Sequence, residues 1–201
     1  MILGLSLMKK DYENYNIIEF AFQGEGGGEE EDKSYSFYKP FLVKMMRGII
    51  GPYVHVETIL CDEEKQYSYG IRRESRVHRK LRKYLRPNCV FYKMKVTSTQ
   101  YKQYKQYLIS AYQNKIEFNY IGFYWNYTIA HYFNCLGYDS RGRTFLCAEL
   151  IARALVFAKI AQKEDFRRLW APTPEEIKKF IVNKGAFITN HPRSFSNQYN
   201  V

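Results

Sequence analysis

One stretch limits what this chain can fold into more than any other: Thr144-Phe145-Leu146-Cys147-Ala148-Glu149-Leu150-Ile151-Ala152-Arg153-Ala154-Leu155. Leu150, Ile151, Ala154, Leu155 and Ala158 recur at helical spacing, so the segment predicts a helix that must bury one apolar side. A glycine-containing turn, Asp139 to Arg143, precedes it and places Cys147 in the opening turn of that helix. Unpaired N–H groups and the positive end of the dipole there favour a thiolate. They can also hold the oxyanion formed when a thiolate attacks a carbonyl. Two readings of Cys147 follow: a nucleophile, or a small hydrophobe in the core, as free cysteine often is.

A cysteine nucleophile needs a base within reach and a polar group to orient that base. Tyr53-Val54-His55-Val56-Glu57-Thr58-Ile59-Leu60-Cys61 is β-branched and aromatic and predicts a core strand, on which His55 and Glu57 point to the same face. After a polar turn, Gln66 to Ile71 predicts the partner strand of a hairpin. Cys89 to Val96 predicts another strand. Ser98 or Thr99 then caps a helix with Tyr101, Tyr104, Leu108, Ala111 and Tyr112 on one face. Thr173-Pro174-Glu175-Glu176 is a strong helix start, with Thr173 as N-cap, Pro174 in the first turn and Glu176 closing a capping box. Ile177, Phe180 and Ile181 should pack that helix inward.

Other segments are less regular. Met1 to Leu7 reads as a strand or packed terminus and Pro40 to Ile50 as a short helix. The Gly/Glu-rich segment at about residues 24–33 reads as a mobile acidic loop. It lacks the GxxxxGK[ST] pattern and its carboxylates would repel phosphate. Phe118 to Leu136 is strongly aromatic but too interrupted by polar residues to cross a bilayer. His131 and Cys135 are spaced as ligands on one helix face. No second pair accompanies them, so neither a metal nor a cofactor is expected. The tail from residue 191 to 201 reads as flexible, which leaves a single domain over residues 1–190.

Charge enters through the 31 Lys and Arg residues against 20 Asp and Glu, a net +11 that favours an anionic partner such as nucleic acid, a membrane surface or an acidic protein. Arg72, Arg73, Arg76, Arg79 and Arg82 head the densest basic cluster, either a solvated face or an anion-docking surface. Cys61, Cys89, Cys135 and Cys147 are scattered without a CxxC pair, which points to a reducing, cytoplasmic compartment. No transmembrane segment is predicted, and the oligomeric state is left open.

The strand Tyr53-Val54-His55-Val56-Glu57-Thr58-Ile59-Leu60, with Tyr67-Ser68-Tyr69-Gly70-Ile71-Arg72, Phe145-Leu146-Cys147-Ala148-Glu149-Leu150 and Thr173-Pro174-Glu175-Glu176, resembles a known family. It is similar to the circularly permuted branch of the NlpC-type papain-fold hydrolases, in which the histidine strand precedes the cysteine helix. That branch includes bacterial and viral proteins, a poxvirus protein among them, and acyl-transferring enzymes similar to lecithin retinol acyltransferase. Phe118-Asn119-Tyr120-Ile121-Gly122 resembles a further family segment more weakly. The histidine strand and the cysteine helix are the specific parts of the match.

The resemblance implies an α+β, papain-like fold: an antiparallel sheet packed against a helix that starts at the nucleophile. It implies a hydrolase or acyltransferase in which Cys147 attacks an amide, ester or thioester carbonyl to form an acyl-cysteine. His55 would shuttle the proton. Glu57 is expected as the orienting third group, with Ser68 in reserve, and Tyr120 or Tyr53 as an added oxyanion donor. The aromatic stretch and the basic cluster suit a lipid-like or amphipathic substrate. The rival expectation is an inactive or structural binding protein, virion-associated if viral, that meets nucleic acid, anionic lipid or a protein through the basic cluster.

Overall fold

The computed structural model describes residues 15–24, 52–62, 65–72, 75–85, 89–125, 143–166, 169 and 171–189. Most of the strands come early in the chain: β1 (Tyr15–Gly24), β2 (Tyr53–Asp62), β3 (Lys65–Gly70), β4 (His78–Leu81) and β5 (Cys89–Thr97). A helix, α1 (Ser98–Gln113), follows. The short β6 (Glu117–Phe118), α2 (Tyr120–Tyr124) and β7 (Thr144–Phe145) lead to α3 (Cys147–Phe157), α4 (Pro174–Asn183) and β8 (Phe187–Thr189). Six strands make one sheet in the order β4-β3-β2-β1-β5-β8, every neighbouring pair antiparallel. The chain is α+β.

Strand alternation decides which residues meet the helices. Ile18, Phe20 and Phe22 of β1 sit opposite Met94, Tyr92 and Val90 of β5, and the first three, with Tyr92 and Met94, are buried in the main core. Leu150, Ile151, Ala154 and Leu155 of α3, Tyr104 and Leu108 of α1, and Ile177 and Ile181 of α4 complete that core, each fully buried. Burying such side chains stabilises by about 1.5 to 3 kcal/mol each, which is why the apolar stripe of α3 fixes where that helix lies. On the other set of positions Ala21, Ile59 and Phe91 form a smaller cluster.

The predicted caps are largely realised. Thr173 accepts from the Glu176 N–H at 3.1 Å and the Glu176 carboxylate accepts from the Thr173 N–H at 2.7 Å. The cap of α1 is Thr97, just before the expected Ser98 or Thr99, because the Gln100 side chain reaches back to the Thr97 N–H and completes a box there. Tyr112 does not join the buried face of that helix; it is exposed, past the last apolar contact at Ala111. The strands β4 and β8 fall in segments with no apolar alternation, and their pairing with β3 and β5 creates them.

The expected strand at Met1 to Leu7, the helix at Pro40 to Ile50, the acidic loop beyond Gly24, and the tail lie outside the described residues. So do Arg73, His131, Cys135 and most of the aromatic stretch. Among the described residues no helix is long and apolar enough to cross a membrane.

Candidate active site

β2 lies third in the sheet, hydrogen-bonded on one side to β1 and on the other to β3. The β1 ladder holds the backbone of both His55 and Glu57, while the β3 ladder begins just after them, at Thr58. Register places His55 opposite Gln23 and Glu57 opposite Ala21 on β1. The side chains, two residues apart, touch: His55 Nε2 and Glu57 Oε1 are 3.0 Å apart.

Glu57 is 2 % exposed, and a buried carboxylate must be met by donors. Among the described residues, four side chains meet it. Oε1 faces His55 and accepts from Arg72 Nε at 3.0 Å and Nη2 at 2.7 Å. Oε2 accepts from the Ser68 hydroxyl. His78 Nε2 stands 3.5 Å from Oε2, an ionic separation longer than a hydrogen bond. Space for this cluster comes from Gly70, the residue across from His78 on β4. A Cβ at Gly70 would lie 2.6 Å from Glu57 Cγ, so the acidic side chain rests directly on the glycine backbone.

Cys147 reaches the same place from the helix side. α3 packs over β2, and Cys147, its first residue, is half-buried; like the exposed Cys61 and the half-buried Cys89, it is in no disulfide. His55 and the backbone N–H groups of Val56 and Ala148 lie close enough to the thiol to favour its ionised form. Glu149, fully buried, completes the helix start by accepting from the Leu146 N–H at 3.2 Å and from Arg153 Nε at 2.8 Å. The approach to the helix is held from another direction, since β7 pairs in parallel with β6 and Asn119 donates to the Phe145 carbonyl at 3.0 Å.

The electrostatics follow from these contacts. Burial pushes the His55 pKa down. The hydrogen bonds to Cys147 and Glu57, with the charges of both, outweigh it and raise the value to about 9. For Cys147 burial opposes ionisation, and the His55 hydrogen bond and charge, joined by the two backbone N–H groups, bring the thiol below its ordinary value. Burial would likewise raise the Glu57 carboxyl, yet the facing His55 and His78 hold it well below the usual carboxylate range. The three groups together favour thiolate, imidazolium and carboxylate in a row.

No protein-family model matches the chain, and no curated protein matches it.

Of the residues singled out from sequence, Cys147, His55, Glu57 and Ser68 are brought together. Tyr53 and Tyr120 are placed by packing: Tyr53 meets Phe22 edge-on at 5.5 Å, while the Tyr120 ring stands 5.2 Å from that of Phe118. The basic cluster is divided rather than a single surface. Alternation along β4 sets His78 and Lys80 across from Gly70 and Ser68, and Arg79 across from Tyr69. Arg79 pairs with Asp62 at 2.6 Å and lies 3.6 Å over the Tyr67 ring; Arg82 pairs with Glu19 at 2.8 Å. Arg76 pairs with Glu117 at 3.2 Å in the open.

Sequence reasoning missed Arg72 and His78 as neighbours of Glu57. Both stood inside the basic run, and the one available signal was Gly70, small where a bulky carboxylate crosses the strand. A groove of about 930 Å³ opens behind this cluster, lined in part by Arg72, His78, Lys80, Phe118 and Tyr120. Among the described residues no group of three His, Cys, Asp or Glu side chains is arranged to hold a metal ion.

Proposed function

We propose that this protein is a cysteine hydrolase or acyltransferase with Cys147 as nucleophile, His55 as general acid and base, and Glu57 as the orienting carboxylate. The observation that carries the reading is one row of three groups, with His55 bonded to the Glu57 carboxylate at 3.0 Å and beside the Cys147 thiol whose ionisation it favours. A half-buried thiol at a helix start, depressed in pKa beside an imidazole, is the arrangement that nucleophilic catalysis requires. The histidine strand precedes the cysteine helix in the chain and the helix packs on an antiparallel sheet. Both fit the permuted NlpC-type papain layout, which we assign to the fold on that basis.

In this mechanism the thiolate attacks the carbonyl carbon of an amide, ester or thioester and a C–S bond forms. The oxyanion is met by the Cys147 N–H in the first turn of α3. The tetrahedral centre collapses, the bond to the amine, alcohol or thiol breaks, and His55 gives its proton to that leaving group. Water, or a second alcohol or amine, then gives a proton to His55 and attacks the acyl-cysteine, releasing the acid or the transferred acyl group. Aromatic side chains beside cationic ones suit an amphipathic acyl substrate. The binding-protein reading has less support, because Arg72, Arg79 and Arg82 answer carboxylates of the protein's own sheet.

The test is labelling of the folded protein with a thiol-directed acyl probe from pH 5 to 10, with Cys147→Ala and His55→Ala beside it. Labelling on Cys147 that depends on His55 supports the assignment. Labelling confined to Cys61, Cys89 or Cys135, or indifferent to His55, removes it.

A further inference from the structure

Arg72 directs two N–H groups at the oxygen of Glu57 that also faces His55, at 3.0 and 2.7 Å. Burial requires donors for this carboxylate, and the guanidinium supplies them on the very oxygen that faces His55, so its charge acts on the Glu57–His55 pair as well. The backbone around Arg72 is fixed to keep it there. Ile71, fully buried, anchors the end of β3. Ser75 then closes the turn, its hydroxyl donating to the Arg72 carbonyl at 2.6 Å and accepting from the Arg72 N–H at 3.0 Å. The Ser75 carbonyl accepts from the Phe118 N–H at 3.1 Å, and Phe118 pairs with Phe145, two residues before Cys147. The loop that carries Arg72 and the strand that leads into the cysteine helix are therefore stitched to the same short strand.

We propose that Arg72 is a positioning residue that tempers Glu57, so that the carboxylate orients His55 without holding its proton too tightly. An unshielded buried carboxylate 3.0 Å from an imidazole stabilises the imidazolium, which keeps the proton that the leaving group must receive. A guanidinium on the same oxygen offsets part of that attraction while adding two bonds that fix the carboxylate plane. The other groups facing this carboxylate are Ser68, which is neutral, and His78 at 3.5 Å; His55 itself also faces Cys147. Neither Ser68 nor Cys147 supplies a permanent positive charge, and His78 supplies one only when protonated. Among the described residues around Glu57, Arg72 is the one that keeps its charge at every working pH.

The inference rests on the catalytic reading of the Cys147–His55 pair, and its test reads the histidine itself. The four histidine Cε1–H signals of the full chain would be titrated by NMR and assigned with His55→Gln and His78→Gln, in wild type, Arg72→Gln and Arg72→Lys. Arg72→Gln should raise the His55 midpoint by about half a unit to one unit, after solvent screening of a partly exposed guanidinium. Arg72→Lys, which restores charge without the fork, should return most of that shift. A merely structural prop predicts the opposite sign, because losing the Glu57 contact removes one of the causes that hold His55 up. An unchanged or lowered midpoint in Arg72→Gln, or equal shifts in the Gln and Lys variants, overturns the proposal. Should Arg72→Gln not fold, Ser75→Ala carries the test by loosening the turn: a raised midpoint supports it and an unmoved one overturns it. Failure of the catalytic reading would look different, as a Cys147 inert to the acyl probe with the His55 shift intact.

Discussion

His55 and Glu57 are neighbours on one strand, and their side chains meet at 3.0 Å without any help from a distant loop. Base and orienting acid are thus preset by the two-residue period of a β-strand, before the nucleophile is considered. The thiol has only to be delivered, and the apolar face of α3 delivers it.

Acyl transfer should show two limbs in pH. On the acid side it falls as the Cys147 thiolate takes a proton, at a pH below that of an ordinary thiol. On the alkaline side it falls as His55 loses its proton near pH 9, leaving nothing to protonate the leaving group. Plain alkylation of Cys147 needs no leaving-group proton and should stay high above that pH. Stopped-flow rates with an acyl ester and with iodoacetamide, compared over pH 5 to 10, check the divergence; parallel alkaline limbs would refute it.

Glu57 should make the fold acid-sensitive. Its carboxyl lies below the ordinary range in the folded protein, so the stabilisation is complete above the unfolded value of about 4.3 and is lost as pH falls from there. Urea midpoints measured from pH 7 to pH 3 should drop more steeply for wild type than for Glu57→Gln. At pH 7 the variant should be the less stable, since Arg72 is left facing a neutral amide. Equal slopes on the acid side would contradict the assignment.

Gly70→Ala should disable the site without touching any of its polar groups. The added methyl would sit 2.6 Å from Glu57 Cγ, so either the carboxylate or β3 must move. Overpacking of this kind costs about 1 to 3 kcal/mol. Chemical denaturation should show that loss, and acyl labelling of Cys147 should fall well beyond what the stability change explains. Wild-type labelling in the folded variant would show that Glu57 is not held by this contact.

Thr173→Ala offers the opposite control. Removing the cap of α4 leaves the Glu176 N–H without its acceptor at 3.1 Å and should lower unfolding free energy by about 1 kcal/mol. Cys147 labelling in the folded variant should be unchanged, because among the described residues α4 makes no hydrogen bond or ion pair to Cys147, His55 or Glu57. A comparable loss of labelling would mean that α4 positions the nucleophile directly.

Features carried by short-range pattern were legible in the sequence. The apolar stripe of α3, the β-branched run of β2 and the Thr173 box each depend on residues within a turn or two, and each stands where expected. What was not legible depends on register. Nothing near Arg72 or His78 in the chain says that β3 and β4 will pair Gly70 with His78, so the run of basic residues reads as one face, solvated or anion-docking. The inward turn of Arg72 toward Glu57, 15 residues away, is a tertiary fact. Ser68 was expected as a substitute for Glu57 and is instead its hydrogen-bond donor, a distinction that only cross-strand geometry makes.

The strand order has a consequence for how this protein comes into being. A ribosome makes Glu57, Ser68, Arg72 and His78 within a span of 22 residues, and Cys147 another 69 residues later. A nascent chain paused after β5 already contains every group that surrounds the carboxylate and none of the reactive sulfur. The thiol emerges last, into a neighbourhood whose chemistry has been written ahead of it.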